Sequence, residues 1–421
     1  MSEAPPQPLA ARERAPVSRP ARLRTFRALG NPAFRRLWLA GWVWYLNRMM
    51  EMAVLSWLVL ELTDSPSQVA LVGAFRMAPM FLLGLAAGSI SDRFPRKHVM
   101  VSTQCVNLTV TAGMLAILLF GDVAPWHAFL TTFLMGSAWA VDFSARRAYF
   151  SEIFRGDGLT NAISLDVVAL TGSSVAGPLL AGTIIELVGF SGAYALMMAL
   201  FIIGAIMLLT IPGAQSLRSG QAPVLRQLAE AVTTLSANRM LVAALTITVS
   251  LNFFGFPFLT MVPVIGRDIL GANAFLYGVL AAAAGIGSLA GSIVIASRRI
   301  RNHQSVYSLG AASMLAVLVL FSLSQWYAVS LALLIVAGFG MAGFATMQPT
   351  IAMQAVQPEM RGRAMGAIAL GIGASPLGML FVGWLAEQMG PQQALALLTG
   401  TGVIVVMLLR LFLPELRGQG R

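Results

Sequence analysis

Charge is scarce in this chain: Asp, Glu, Lys and Arg make up only 11% of its 421 residues, against about 25% in an ordinary soluble protein. So few charges cannot coat a water-soluble fold of this length. Cysteine is nearly absent, and Cys105 alone excludes an internal disulfide or a zinc-type cysteine cluster. The single lysine, Lys97, does not follow a glycine, so there is no Walker A loop to hold ATP. Histidine occurs only at 98, 127 and 303, near the ends of apolar stretches, and neither Gly-x-Ser-x-Gly nor His-Glu-x-x-His is present. These absences argue against a membrane enzyme, a metal site and a bound cofactor. The net charge of +11 would suggest nucleic acid in a soluble protein, but no polar folded domain is there to bind it.

What the chain does have is apolar length. Hydrophobic residues make up 57% of it and the mean hydropathy is +0.77. Apolar stretches recur at 37–61, 66–91, 99–120, 127–147, 160–186 and 190–211. After a polar interval they return at 240–265, 271–297, 305–324, 326–349, 361–386 and 391–413. Each is long enough for a membrane helix of about 20 residues, whereas the strands of a barrel would alternate and stay near ten. The pattern predicts an all-α membrane protein of twelve transmembrane helices. Residues 1–36 carry eight arginines among Pro and Ala, which reads as a cytoplasmic arm rather than a signal peptide. Its Arg22–Leu29 segment has the pattern of a basic amphipathic turn on the membrane surface.

Charge placement fixes the orientation. With both termini in the cytoplasm, inner segments hold 25 of the 28 basic residues and outer loops hold one, Arg267. The outer loops also hold six acids: Glu61, Asp64, Asp122, Glu186, Asp268 and Glu387. This is the positive-inside bias of an even number of spans, and adding or removing one span would scramble it.

The two halves repeat. Gly84-x-x-x-Gly88-Ser89-Ile90 recurs as Gly287-x-x-x-Gly291-Ser292-Ile293. Gly177-x4-Gly182-x3-Glu186-x2-Gly189 recurs as Gly378-x4-Gly383-x3-Glu387-x2-Gly390, and Leu46-Asn47 recurs as Leu251-Asn252. Offsets near half the chain predict two pseudo-symmetric six-helix bundles, 37–211 and 239–413. They are joined by a cytoplasmic linker, 212–238, and followed by a tail, 414–421. Two such bundles meeting at a central cleft are the architecture of an alternating-access carrier.

Between the second and third stretches the chain reads GSISDRFPRK, Gly88 to Lys97. This resembles the signature loop of the major facilitator superfamily, Gly-x-x-x-Asp-Arg/Lys-x-Gly-Arg-Arg/Lys. Gly88, Asp92, Arg93, Arg96 and Lys97 match it, and Pro95 stands in place of the usual glycine. The stretch from Trp57 to Lys97 is similar to the branch containing the enterobactin exporter and related efflux proteins. The resemblance implies the twelve-helix fold of that superfamily and an inner gate built on this loop. There Asp92 would accept from the start of span 11, and Arg96 would pair with Asp142. Gly177-Pro178-Leu179-Leu180-Ala181-Gly182 resembles a span-5 element of the family's proton antiporters, with Ala181 replacing a glycine. Small residues there let backbones touch, and Pro178 relaxes the helix at a bend.

Charges at membrane depth are the remaining signal. Asn47, Arg48 and Glu51 lie well inside span 1, and Arg76 lies at a similar level in span 2. A charge at the bilayer centre costs at least about 2.5–3.5 kcal/mol, so an unneeded one is disfavoured. Arg48 and Glu51, three apart, can pair on one helix face. The reading is that Glu51 titrates the coupled proton, while Arg48 and Arg76, with Asn47 and Asn252, bind an anionic or zwitterionic substrate. A static ion-pair network that only fixes helix packing is the alternative. Asp166 reads as a loop-facing acid at the start of span 5, and Arg146 and Arg147 as anchors of span 4. Among the aromatics, Trp44, Tyr45, Phe75, Trp139, Phe253 and Phe254 are candidates for a cavity wall.

The expected protein is a proton-coupled exporter of small organic molecules, multi-pass in the cytoplasmic membrane and monomeric. Its partners would be substrate, protons and lipid. A lipid or lysophospholipid translocator on the same fold is the other possibility.

Overall fold

A computed structural model describes residues 27–154, 157–212, 238–298, 300–357 and 360–418. Within these, the side chains of 81, 83–93, 157, 361–363, 367 and 369 are not described. The first 26 residues of the arm and most of the linker, 213–237, lie outside the described residues.

The described residues form helices and no strand. We number them by membrane crossing: α1 Pro32–Thr63, α2 Pro66–Arg93, α3 Arg96–Phe120 and α4 Pro125–Ile153. The next helix, Asp157–Leu209, is broken at Gly189 (φ 81°), giving α5 before it and α6 after. At about 1.5 Å per residue its 53 residues span roughly 80 Å, which is two crossings. The next crossing, α7, has three pieces: Arg239–Ser250, a π-helical turn Leu251–Gly255, and Phe258–Asp268. Then come α8 Ala274–Ser297, α9 His303–Leu323 and α10 Tyr327–Gln354. Arg361–Ile372 and Ser375–Met389 together make α11, and Pro391–Phe412 is α12.

Eight described helices are long and apolar enough to cross a membrane, with Gly158–Leu209 counted as one. The remaining crossings, α1, α2 and α4, have 32, 28 and 29 residues and carry the charges discussed below.

Capping moves several boundaries away from the apolar stretches. Asn31 accepts from the amides of Ala33 and Phe34, and Pro32 follows at the first helical position. That is a strong helix start, so α1 begins five residues before the apolar run does. At the outer ends of α5 and α11, Gly189 and Gly390 (φ 88°) turn the chain within about one residue, a backbone conformation that side chains disfavour.

The duplicated Gly-x4-Gly motif has a double use. Its first glycine packs within a half. Gly177 lies against Met49 and Met50 of α1, and Gly378 against the Phe253 carbonyl of α7. Its second glycine packs across the halves. A Cβ on Gly182 would sit 2.4 Å from the Ala274 carbonyl of α8, and one on Gly383 2.5 Å from Ala70 of α2. The halves therefore meet along α5–α8 and α2–α11, and the small residues allow backbone-close crossings there.

Candidate functional site

The sequence-predicted charges of α1 and α2 do come together. Glu51, 2% exposed, takes its ion pair from Arg76 of α2, also 2% exposed. The other arm of the Arg76 guanidinium donates to the Arg48 carbonyl at 2.5 Å. This corrects the expected Arg48–Glu51 pair. A planar guanidinium entering from α2 serves a carboxylate and a carbonyl at once, which a neighbour on the same helix cannot do. Arg48 instead lies over the Trp139 ring of α4, 3.7 Å from its centroid, a cation–π contact. Among the described residues it has no carboxylate or hydrogen-bond partner. Asn47 donates to the Met197 carbonyl of α6 at 3.3 Å.

Trp44, Arg48, Glu51, Asn107, Met135, Trp139 and Phe201 line a small pocket that is open on one side. Of the aromatic candidates, Trp44 and Trp139 line it. Phe253 instead stacks on Phe381, and Phe75 on Phe129. Asn107 and Phe201 were not singled out from sequence, because nothing in α3 or α6 marks which face turns inward. Asn252 lies in the π-helical turn of α7, in the other half, and its amide donates to the Thr248 carbonyl of its own helix.

A second network lies nearer the N-terminal end of α1. Tyr45 donates to Asp166 at 2.9 Å, Arg146 to Asp142 at 3.0 Å, and Thr103 to the other Asp142 oxygen at 3.1 Å. All five side chains are buried. Asp166 is therefore no loop-facing acid, and Arg146 is no surface anchor. Arg96 pairs with Glu152 at 2.6 Å, while Asp142 holds Arg146. The expected Arg96–Asp142 pair fails on depth: Asp142 lies ten residues, about 15 Å, before Glu152 on α4, away from the helix end that Arg96 meets. The Asp142–Arg146 pair was legible as an i,i+4 couple on one helix face. Lys97 caps the end of α6, donating to the carbonyls of Leu209 and Ile211 at 2.8 and 2.6 Å. The side chains of Gly88, Asp92 and Arg93 lie outside the described residues.

The helix ends near Gly189 and Gly390 also join the two halves. Glu387 at the end of α11 accepts from Ser65 and Ser67 at the start of α2, the Ser67 hydroxyl lying 2.9 Å away. Its repeat partner Glu186 accepts from Asn273, the N-cap of α8, at 3.0 Å. Arg267 bridges to Asp64 at 2.8 Å and to the Leu60 carbonyl at 2.9 Å. Just inside, Trp57 and Tyr277 stack at 5.0 Å. The duplicated acids therefore tie the two halves together at these helix ends in the form seen here. Removing both, Glu186→Ala with Glu387→Ala, should cost that form about 1–2 kcal/mol. The outward-open population should then rise roughly five- to thirtyfold, which spin-label distances across the outer ends would read.

The family of transmembrane secretion effectors matches residues 23–419. A relative in Bacillus subtilis (strain 168), the uncharacterized MFS-type transporter YfiS, is 25% identical over 372 residues, which is 86% of this chain and 88% of that one. Among solved structures, a D-xylose–proton symporter superposes with a TM-score of 0.72 at 16% identity, covering 92% of this chain and 99% of the other. A bacterial homolog of the human lysosomal transporter Spinster, inward-facing and occupied, gives 0.70 at 14% identity, covering 92% and 96%. At such identities these two structures speak to the fold alone.

Proposed function

We propose, from the premise that this chain belongs to the transmembrane secretion effectors of the major facilitator superfamily, that it exports small organic molecules bearing an anionic group in exchange for protons. One observation carries the reading: two buried guanidiniums, Arg48 and Arg76, face a single carboxylate, Glu51. Glu51 is committed to Arg76, so one carboxylate is left to offset two guanidiniums, and Arg48 lies over the Trp139 ring. A surplus positive charge at this depth is expensive, and an anionic or zwitterionic head group neutralises it. Trp44, Met135, Trp139 and Phe201 beside it suit an apolar body.

In this reading the substrate anion draws Arg76 from Glu51, and the freed carboxylate takes the coupled proton. Alternating access then carries each to its side. The family's description as secretion effectors and the bend motif at Gly177, Pro178 and Gly182 support export. An inner gate on Gly88, Asp92, Arg93, Arg96 and Lys97 would complement the outer latch.

Lysophospholipids combine the same anionic head with an apolar tail, and the cation beside apolar walls suits them as the second class. A thermal-shift screen of organic anions and lysophospholipids on the purified chain finds the ligand, and proteoliposomes with an imposed pH gradient test its transport. Arg48→Ala should weaken the ligand roughly thirtyfold or more in Kd. A ligand bound equally well by Arg48→Ala would remove this site from recognition.

A further inference from the structure

Buried polar atoms without a hydrogen-bond partner are concentrated in the first half of the chain. Among the described residues they include Oδ1 of Asn47, Oε1 of Glu51, both amide atoms of Gln104, Oδ1 of Asn107, Oγ1 of Thr111 and Nε1 of Trp139. In the second half the only such atom among the described residues belongs to Glu415, at the inner end. The interior of a membrane helix bundle offers no bulk water to make up missing hydrogen bonds, so such atoms need an occupant.

Their placement is ordered. Gln104, Asn107 and Thr111 form one stripe of α3 and are 0%, 4% and 0% exposed. The stripe begins beside Thr103, whose hydroxyl reaches Asp142. Gln104 packs against Gly204 of α6, and Asn107 shares the cavity with Glu51 and Trp139. From Thr103 to Thr111 the helix rises about 12 Å, joining the inner network to the Glu51 level.

The atoms also say what the occupant is. Asn47, Glu51 and Asn107 present acceptors, Trp139 and Nε of Arg76 present donors, and Gln104 presents both. A bare cation would serve the acceptors alone and be repelled by Arg48 and Arg76. An anion serves the donors alone, so before substrate binds the acceptors of Asn47, Glu51 and Asn107 need another partner. Water donates and accepts, and the pocket beside Asn107 has room for about one molecule of it.

We infer that the space between α1, α3, α4 and α6 holds a file of ordered water along the α3 stripe, which delivers protons from the Thr103–Asp142 contact to Glu51. Its use in coupling rests on the transport reading above, and it runs inside one half, apart from the cleft between halves. Glu51 at its outer end is faced by Arg48, by Arg76 of α2 and by Tyr194 of α6. Asp142 at its inner end is faced by Arg146, Tyr45 and Asp166. In each transfer the receiving oxygen gains one proton and the next water replaces the one given up, so only O–H bonds are made and broken.

Radiolytic hydroxyl labelling of the purified full chain in isotopically labelled water tests the file without any substrate. Met135 and Trp139 should label several-fold faster than Met261 and Met314, which are buried in the second half. Gln104→Leu, or Thr111→Val should the first variant not fold, should remove most of that difference. Equal labelling of the two sets would overturn the proposal. In proteoliposomes Gln104→Leu should lose pH-gradient-driven accumulation several-fold while keeping the ligand-induced thermal shift. Accumulation at the wild-type level would overturn the proton role. If the wild-type chain neither binds nor accumulates any compound tested, the transport reading fails, and the labelling still decides whether the file exists.

Discussion

Replacing Arg76 by methionine is expected to destabilise the protein by about 3–5 kcal/mol, the cost of leaving one member of a buried ion pair unpaired. Glu51 would be stranded at 2% exposure, and the Arg48 carbonyl would lose its donor. Unfolding in detergent by denaturant, read by tryptophan fluorescence, measures the loss. The informative comparison is a cycle with Glu51→Leu. Apolar pairs of similar volume often replace a buried ion pair without loss, so the double variant Glu51→Leu, Arg76→Met should recover most of the stability. On the proposed reading it should nonetheless carry no anion, since Arg76 and Glu51 are the groups that would exchange anion for proton. A double variant as unstable as Arg76→Met alone would show that the methionine itself, not the orphaned carboxylate, causes the damage.

Gly278→Val is expected to abolish transport by obstructing the form in which α5 and α8 lie together. A Cβ there would lie 2.5 Å from the Pro178 carbonyl and 3.1 Å from the Gly182 Cα. Both are backbone atoms, so no rotamer change relieves the clash and the helices must part. Overpacking of this kind costs about 1–3 kcal/mol. It falls on the form in which α5 and α8 lie together, so the conformational balance should shift by roughly tenfold or more. Spin-label distances at the outer ends should lengthen while the melting temperature changes little. Gly278→Ala should give a smaller shift in the same direction. Unchanged distances in Gly278→Val would mean that α5 and α8 keep this spacing throughout the cycle.

Much of the fold was written in two patterns that need no tertiary information. The apolar stretches set the helices, and the 201-residue recurrence of Gly-x4-Gly pairs α5 with α11. Depth was legible as well: counting residues from the membrane edge placed Arg48, Glu51 and Arg76 at one level, and they meet. Direction around the helix axis was not. Neither Glu51's choice of Arg76 over Arg48 nor the inward turn of Gln104, Asn107 and Thr111 follows from spacing, because an apolar helix in lipid has no polar face to orient it. Asp166 illustrates the same limit. Its position near a helix start suggested solvent, whereas Tyr45 on another helix holds it inside. Arg96 and Asp142 were matched by type and missed by depth, although residue counting along α4 already separates Asp142 from Glu152.

The single-residue turns at Gly189 and Gly390 also bear on how the carrier can be reached from outside. On the side that the arginine bias assigns to the exterior, the α5–α6 and α11–α12 hairpins turn within about one residue, so an antibody or protease arriving there would find helix ends and no loop to grip. A blocker applied from that side has to wedge between those ends and prise the latch apart. Resistance to such a compound would therefore map to Ser65, Asn273 and their acidic counterparts rather than to the cavity wall.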